Sequence, residues 1–207
     1  MKKILLLLPS GCELLEAAAF TDVFGWNETA GSRDTMLVTA GPRREVAACF
    51  GRKIQAQITF DQVDAAAYDA VALPGGFPAH GYFAADETEV IYRILRDFHA
   101  QGKFIAGVCT GSLLIARAGL LIGRHATVYQ GEGGRWQIQL ADAGAIPESL
   151  PVCVDGNVIT ADGPSSAVLA AFALLGTVTD RENALNVAAM MGYAFGLETL
   201  EKKTLPN

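Results

Sequence analysis

The stretch Phe104-Ile105-Ala106-Gly107-Val108-Cys109-Thr110-Gly111-Ser112 decides how this chain is read. Phe104–Val108 is a short apolar run, the pattern of a buried strand. Gly111–Ala118 has the pattern of a helix, stopped by Gly119. No loop separates the two, so Cys109 stands at the corner. Gly107 and Gly111 flank it, and small residues let a backbone turn tightly without Cβ clashes. This is the layout of a nucleophile elbow with Cys in place of Ser. It predicts a strained backbone at Cys109. A thiol at a helix start also feels the positive end of the peptide dipoles. An ordinary thiol has a pKa of about 8.5, so a drop of roughly two or three units would make Cys109 mostly thiolate at neutral pH. The plainer alternative is a small buried hydrophobe; the Gly-flanked corner favours a reactive thiol.

Strands and helices alternate outward from that corner. Lys3–Leu8 is an apolar run ended by Pro9-Ser10-Gly11, and Leu14–Trp26 repeats apolar residues at helical spacing. Met36–Ala40 reads as a strand, and residues 45–60 as a hairpin around Gly51. Ala70–Leu73 is a strand stopped by Pro74-Gly75-Gly76. Asp86 followed by Glu89 resembles an N-cap, with a helix to about Gly102. Ala126–Tyr129 reads as a strand and Gly133–Ala143 as a helix. Val152–Val154 and Val158–Thr160 flank the turn at Asp155-Gly156-Asn157. Ala167–Leu175 is apolar nearly all round, hence a buried helix. Thr179 and Glu182 cap a last helix to about Tyr193. The pattern predicts an α/β fold with a mostly parallel sheet covered on both faces. Residues 1–195 are expected to form one domain and 196–207 a C-terminal tail. Sites in such sheets form at the carboxyl ends of strands, which singles out Pro9–Glu16, Pro74–His80 and Cys109–Ser112.

Composition narrows the function. Of 207 residues 51% are apolar and 18% charged, and the formal net charge is −6. An acidic chain with scattered Lys and Arg lacks the footprint of a nucleic-acid binder. The apolar run after Met1-Lys2-Lys3 is shorter than the roughly 7–15 residues of a secretory core. No run approaches the roughly 18 residues of a membrane helix. Cys12, Cys49, Cys109 and Cys153 form no CxxC pair and only three His are present, which argues against a zinc site. Neither a metal nor a cofactor is expected, and the reducing cytoplasm is the expected compartment.

Other residues gather on the same rim. The Gly75-Gly76 amides, with that of Thr110, would make an oxyanion hole; a plain turn is the alternative. Glu13 and Glu16 lie in a helix start, where acids ordinarily serve only to stabilise it. Glu16 precedes Ala17-Ala18-Ala19-Phe20. A carboxyl half-buried there would stay protonated and could donate to the thiolate or move protons. Of the histidines, only His80 lies on this rim, where an exposed loop residue is the alternative. His99 and His125 read as exposed. Cys49 and Cys153 read as structural, while Cys12 stands beside Glu13 and could line the pocket. Trp136 could roof it.

Taken together, Gly107-Val-Cys109-Thr-Gly-Ser, Leu73-Pro-Gly75-Gly76 and Gly11-Cys-Glu13-Leu-Leu-Glu16 resemble the ThiJ/PfpI superfamily, nearest its deglycase- and glyoxalase-like ThiJ branch. The likeness runs from Lys3 to about Tyr193 and includes the late turn Gly163-Pro164. It implies a flavodoxin-like three-layer sandwich of the class I glutamine amidotransferase-like kind, a homodimer, Cys109 as nucleophile and Glu16 as a protonated acid. It also implies an oxyanion pocket from Gly75, Gly76 and Thr110. Asp22 matches an acidic position six residues after Glu16, at the pocket or the dimer contact. Two departures matter. Thr110 stands where the intracellular-protease branch has His, and Tyr129 where some carbonyl-processing relatives have one. The isonitrile-hydrating branch carries Asp at the position of Glu16.

Three functions follow as expectations. The first is a cofactor-free cysteine enzyme acting on a small electrophile such as a 2-oxoaldehyde. The second is an oxidation sensor or stress-protective protein using Cys109. The third is a cysteine amidase or peptidase, which needs His80, or a His from a dimer partner, beside Cys109 to protonate the leaving nitrogen.

Overall fold

A computed structural model describes residues 1–193. The expected tail, 196–207, and the expected domain end at 195 lie outside the described residues. The first half of the chain runs β1 Lys2–Leu7, α1 Leu14–Ala30, β2 Thr35–Gly41, β3 Glu45–Ala47, β4 Lys53–Gln55, β5 Ile58–Thr59 and β6 Ala70–Leu73. It continues with α2 Ala85–Ala100, β7 Phe104–Val108, α3 Gly111–Arg117, β8 His125–Ala126 and α4 Arg135–Asp142. The rest is β9 Ile146–Pro147, β10 Val152–Asp155, β11 Val158–Ala161, α5 Ala167–Val178 and α6 Arg181–Met190.

Seven strands form the main sheet in the order β10-β11-β7-β6-β1-β2-β5. All neighbours are parallel except β10 and β11. The central strand β1 explains the arrangement. Ile4 to Leu8 are completely buried, so this strand needs cover on both faces. Helices α1, α5 and α6 pack together as one layer, and α2, α3 and α4 as the other. The buried side chains of α5 on nearly every side fit its place inside a layer. The chain goes from β1 outward to β2, then crosses back to β6 on the other side of β1. That reversal opens a crevice at the carboxyl ends of β1, β6 and β7. Among the described residues no helix is long and apolar enough to cross a membrane.

Three local expectations need correction. The strand at Ala126–Tyr129 is only His125–Ala126, paired with β9 outside the main sheet. The next amide, Thr127 N–H, donates to the Thr160 hydroxyl at 2.9 Å, so no ladder continues. Asp86 lies inside α2, whose N-cap is Ala84. The neighbouring Glu87 instead accepts from Ser10 N–H and Oγ at 2.9 and 2.6 Å, tying α2 to the loop after β1. Asp180, not Thr179, caps α6, accepting from Asn183 N–H at 2.8 Å. Thr179 Oγ1 donates back to Leu175 O instead.

Gly111 shows how closely α3 is pressed onto the end of β6. A Cβ there would lie 2.9 Å from Pro74 O and 3.0 Å from Leu73 O, both backbone atoms with little room to yield. Ala normally exceeds Gly in a helix by about 1 kcal/mol. Here Gly111→Ala is expected to destabilise the protein by about 1–3 kcal/mol in urea unfolding. A more stable variant would contradict this packing.

Candidate active site

The strand-to-helix corner exists as the residue pattern implies. Cys109 adopts a φ of 55°, a region non-glycine residues enter seldom. Its N–H donates to Ala161 O at 2.8 Å, extending the β7–β11 ladder by one residue. Its carbonyl accepts from Ser112 N–H as α3 begins. The chain is therefore held on both sides of the bend. Gly75 packs against it: a Cβ there would come within 2.8 Å of both Cys109 Cβ and Thr110 N. Glycine at 75 is what admits Cys109 to the crevice.

Glu16, in the first turn of α1, is completely buried. Its Oε2 accepts from Gly75 N–H at 2.5 Å. Its Oε1 is sealed from solvent and has no partner in hydrogen-bond geometry. The Cys109 thiol interacts with this carboxyl but lies off that geometry. Burial raises the Glu16 pKa to about 8, against the opposing pull of the Gly75 N–H. The carboxyl is thus protonated at neutral pH. Since Oε2 already accepts an N–H, the proton belongs on Oε1.

The expected lowering of the Cys109 pKa is not what this setting produces. Burial, and the charge of Glu16 when it is ionised, push the thiol up. Thr110 N–H pulls it down, but by less. Protonating Glu16 removes its charge, so the sulfur can lose its proton more easily while the carboxyl keeps its own. Cys12 is pushed up to about 12, and Cys49 and Cys153 to about 11, chiefly by burial.

The oxyanion hole also needs revision. Gly75 N–H is taken by Glu16 and Gly76 N–H by Thr110 Oγ1, at 2.9 Å. Thr110 N–H remains directed at the sulfur. The available donors are Thr110 N–H and a protonated Glu16, not a row of three amides.

Cys109 lies 7% exposed at the floor of a cavity of about 130 Å³. Gly76, Phe77, Pro78, Thr110, Tyr129 and Pro164 line it. Trp136 belongs to the lining as well. Trp136 Nε1 donates to Glu132 Oε2 at 2.8 Å, and the same oxygen pairs with Arg135 Nε at 2.6 Å. Glu13, Glu132 and Arg135 belong to the lining and were not picked out as pocket residues by sequence. The signal for the Glu132 wall was Gly131-Glu132-Gly133-Gly134, where residues 132–134 all have positive φ.

Other candidates lie elsewhere. Cys12 is buried behind the lining, opposite Gly76. Gly163 is buried next to Tyr129 rather than in the wall. Asp22 lies on the exposed face of α1, in a groove with Leu15 and Ala19 apart from Cys109, so it does not shape this pocket. His80 is exposed and packs edge-on against Phe50 and Phe77. None of the three His lines the cavity. His125 is exposed, as expected, and pairs with Glu148; His99 is partly buried. Among the described residues no group of three or more His, Cys, Asp and Glu could hold a metal ion.

Comparison with known proteins agrees with this architecture. Isonitrile hydratase of Pseudomonas putida is 31% identical over 146 residues, covering 70% of this chain and 59% of that protein. A deglycase of Pyrococcus horikoshii is 28% identical over 154 residues, covering 73% and 89%. A structure of oxidized DJ-1 from Toxoplasma gondii superposes with a TM-score of 0.78 at 26% identity, covering 94% of this chain and all (100%) of that one. The chain spans 28–63% of the length of several curated relatives it matches. Residues 2–177 match the DJ-1/PfpI family. With its parallel sheet and its cysteine at the strand-to-helix corner, this chain belongs to the DJ-1/PfpI family.

Proposed function

We propose that the chain is a cofactor-free, cysteine-dependent enzyme acting on small reactive carbonyls, with a 2-oxoaldehyde as the preferred substrate class. The observation that carries this reading is Cys109, bent into a cavity against a carboxyl kept protonated by burial. The deglycase relative supports the same class. Within this reading the protein works as a homodimer in the cytoplasm.

The chemistry needs no external oxidant. The Cys109 sulfur adds to the aldehyde carbon and the C=O electron pair moves to oxygen. Glu16 and Thr110 N–H, the donors beside the sulfur, stabilise it. The thiol proton leaves to water while Glu16 gives its proton to oxygen, and as a carboxylate Glu16 takes the hydrogen from the former aldehyde carbon as a proton. Returning it to the neighbouring carbon, as the hydroxyl proton moves from the first oxygen to the second, leaves a thioester beside a new alcohol, and Glu16 regains its proton from water. One carbon is oxidised and its neighbour reduced. Water then cleaves the sulfur–carbon bond, releasing the 2-hydroxy acid and restoring the thiol. Amide cleavage is the less favoured reading, because no His stands in the cavity to protonate a leaving nitrogen. Isonitrile hydration, the activity for which one relative is named, is set against by Glu rather than Asp at position 16.

A second reading, oxidation sensing, is favoured by placement: of the four cysteines only Cys109 lines the cavity. Two peroxide molecules would each deliver one oxygen to its sulfur and leave as water, giving a sulfinate. The T. gondii relative, whose structure is of an oxidized form, is consistent with this.

Three measurements bear on these readings. Wild type should form lactate from methylglyoxal, and Cys109→Ser should lose activity by at least about 10³-fold; an inactive wild type would remove the enzymatic reading. After mild peroxide, peptide mass spectrometry should find two added oxygens on Cys109 ahead of Cys12, Cys49 and Cys153; an even spread would count against the sensing reading. The third concerns Glu16. Its folded pKa of about 8 lies above the ordinary 4.5. Between those values the folded state therefore binds the proton more tightly than the unfolded chain. The resulting stabilisation is complete below pH 4.5 and is lost as pH rises through 8. Relative to Glu16→Gln, wild type should lose on the order of a few kcal/mol between roughly pH 5 and pH 8.5 in urea unfolding. Parallel stability curves would contradict a buried, protonated Glu16.

A further inference from the structure

Glu13 occupies the N-cap position of α1 but makes no side-chain cap hydrogen bond. An acceptor there ordinarily takes an amide of the first turn, so its carboxyl forgoes a stabilising contact. The backbone leaves little freedom. Glu13 N–H donates to Gly75 O at 2.9 Å, and Glu13 O accepts from Ala17 N–H at 3.1 Å. With the main chain fixed, the side chain lines the cavity with Cys109 and Thr110. Among the described residues no ion pair or side-chain hydrogen bond holds that carboxyl.

The attack by sulfur needs a base, and Glu16 is unsuited to be it. Glu16 is sealed, bonded to Gly75 and already protonated at neutral pH. Glu13 is only half-buried, so it sheds its proton before Glu16 does. Burial still raises its pKa, moving it toward the working pH, where a general base is most effective. The groups that face it are Glu16, Cys109 and Cys49, with Tyr129, Glu132 and Arg135 across the cavity.

We propose that Glu13 is the general base of this site, removing the Cys109 proton as the sulfur attacks an electrophile. This deepens the carbonyl reading and rests on it for the substrate. With an aldehyde, the sulfur–carbon bond forms and the C=O pair moves to oxygen. The thiol proton passes to the Glu13 carboxylate and on to water while Glu16 protonates that oxygen, giving a neutral hemithioacetal and an ionised Glu13. With iodoacetamide, the sulfur–carbon bond forms as iodide leaves, and the proton passes from Cys109 to Glu13 and then to water.

The test is the rate of Cys109 alkylation by iodoacetamide, resolved by peptide mass spectrometry between roughly pH 5 and pH 9. A base role and a mere charge predict opposite signs. If Glu13 were only a nearby negative charge, removing it would ease ionisation of the thiol and speed alkylation at pH 7. If Glu13 is the base, Glu13→Gln slows alkylation at pH 7 by about tenfold or more and removes the low-pH limb of the profile. Glu13→Ala supplies a second check: added formate restores its rate in proportion to the formate concentration. Equal or faster alkylation in a folded Glu13→Gln, or no response of Glu13→Ala to formate, overturns the proposal. The assay also separates the two claims. A wild type inactive on methylglyoxal whose alkylation still slows in Glu13→Gln retains the base and loses the carbonyl substrate.

Discussion

One buried contact organises the site: the Glu16 carboxyl beside the Cys109 thiol, anchored by Gly75 N–H. A carboxyl taken out of water resists ionisation because the charged form loses its hydration. That single cost keeps a proton where a developing negative charge on sulfur or oxygen needs a donor. It also constrains the backbone. Gly75 must approach closely enough to donate to Glu16, which leaves no room for a side chain against Cys109 and Thr110. Three strand ends, from β1, β6 and β7, are thereby locked into one geometry.

The arrangement separates two tasks that one residue would perform poorly. Glu16, sealed, is suited to donating and returning a proton within the substrate. Glu13, half-buried and turned away from its own helix, is suited to accepting one and exchanging it with water. Two carboxyls three positions apart at one helix start thus sit in different dielectric surroundings, and environment rather than residue type divides their roles. The absence of a His from the lining becomes intelligible in this light, since its usual base role falls to Glu13.

Much of this was legible in the residue order. Strands Ala70–Leu73 and Phe104–Val108 were read with the bounds they have, because each is a short apolar run closed by small residues. Cys109 at the corner followed from Gly107 and Gly111, and the burial of Glu16 from the alanines after it. What escaped were directions and partners. No local pattern says that the Gly75 and Gly76 amides already have acceptors, Glu16 and Thr110 Oγ1. Nor does it say that Glu13 leaves its cap position empty. The thiol shift was read from the helix start alone, whereas burial and Glu16, a residue 93 positions away in sequence, decide its direction. Tyr129 was expected to end a strand, yet the Thr160 hydroxyl takes the amide the ladder needed.

The protonation state of one carboxyl therefore underlies the whole account, and infrared spectroscopy reads it directly. The band of a protonated carboxylic acid, assigned by its loss in Glu16→Gln, should be present at pH 7 and titrate away with a midpoint near the value of about 8 set by burial. A Glu16 already ionised at pH 6 would contradict the account, because the carboxyl would then have no proton to donate to the developing charge.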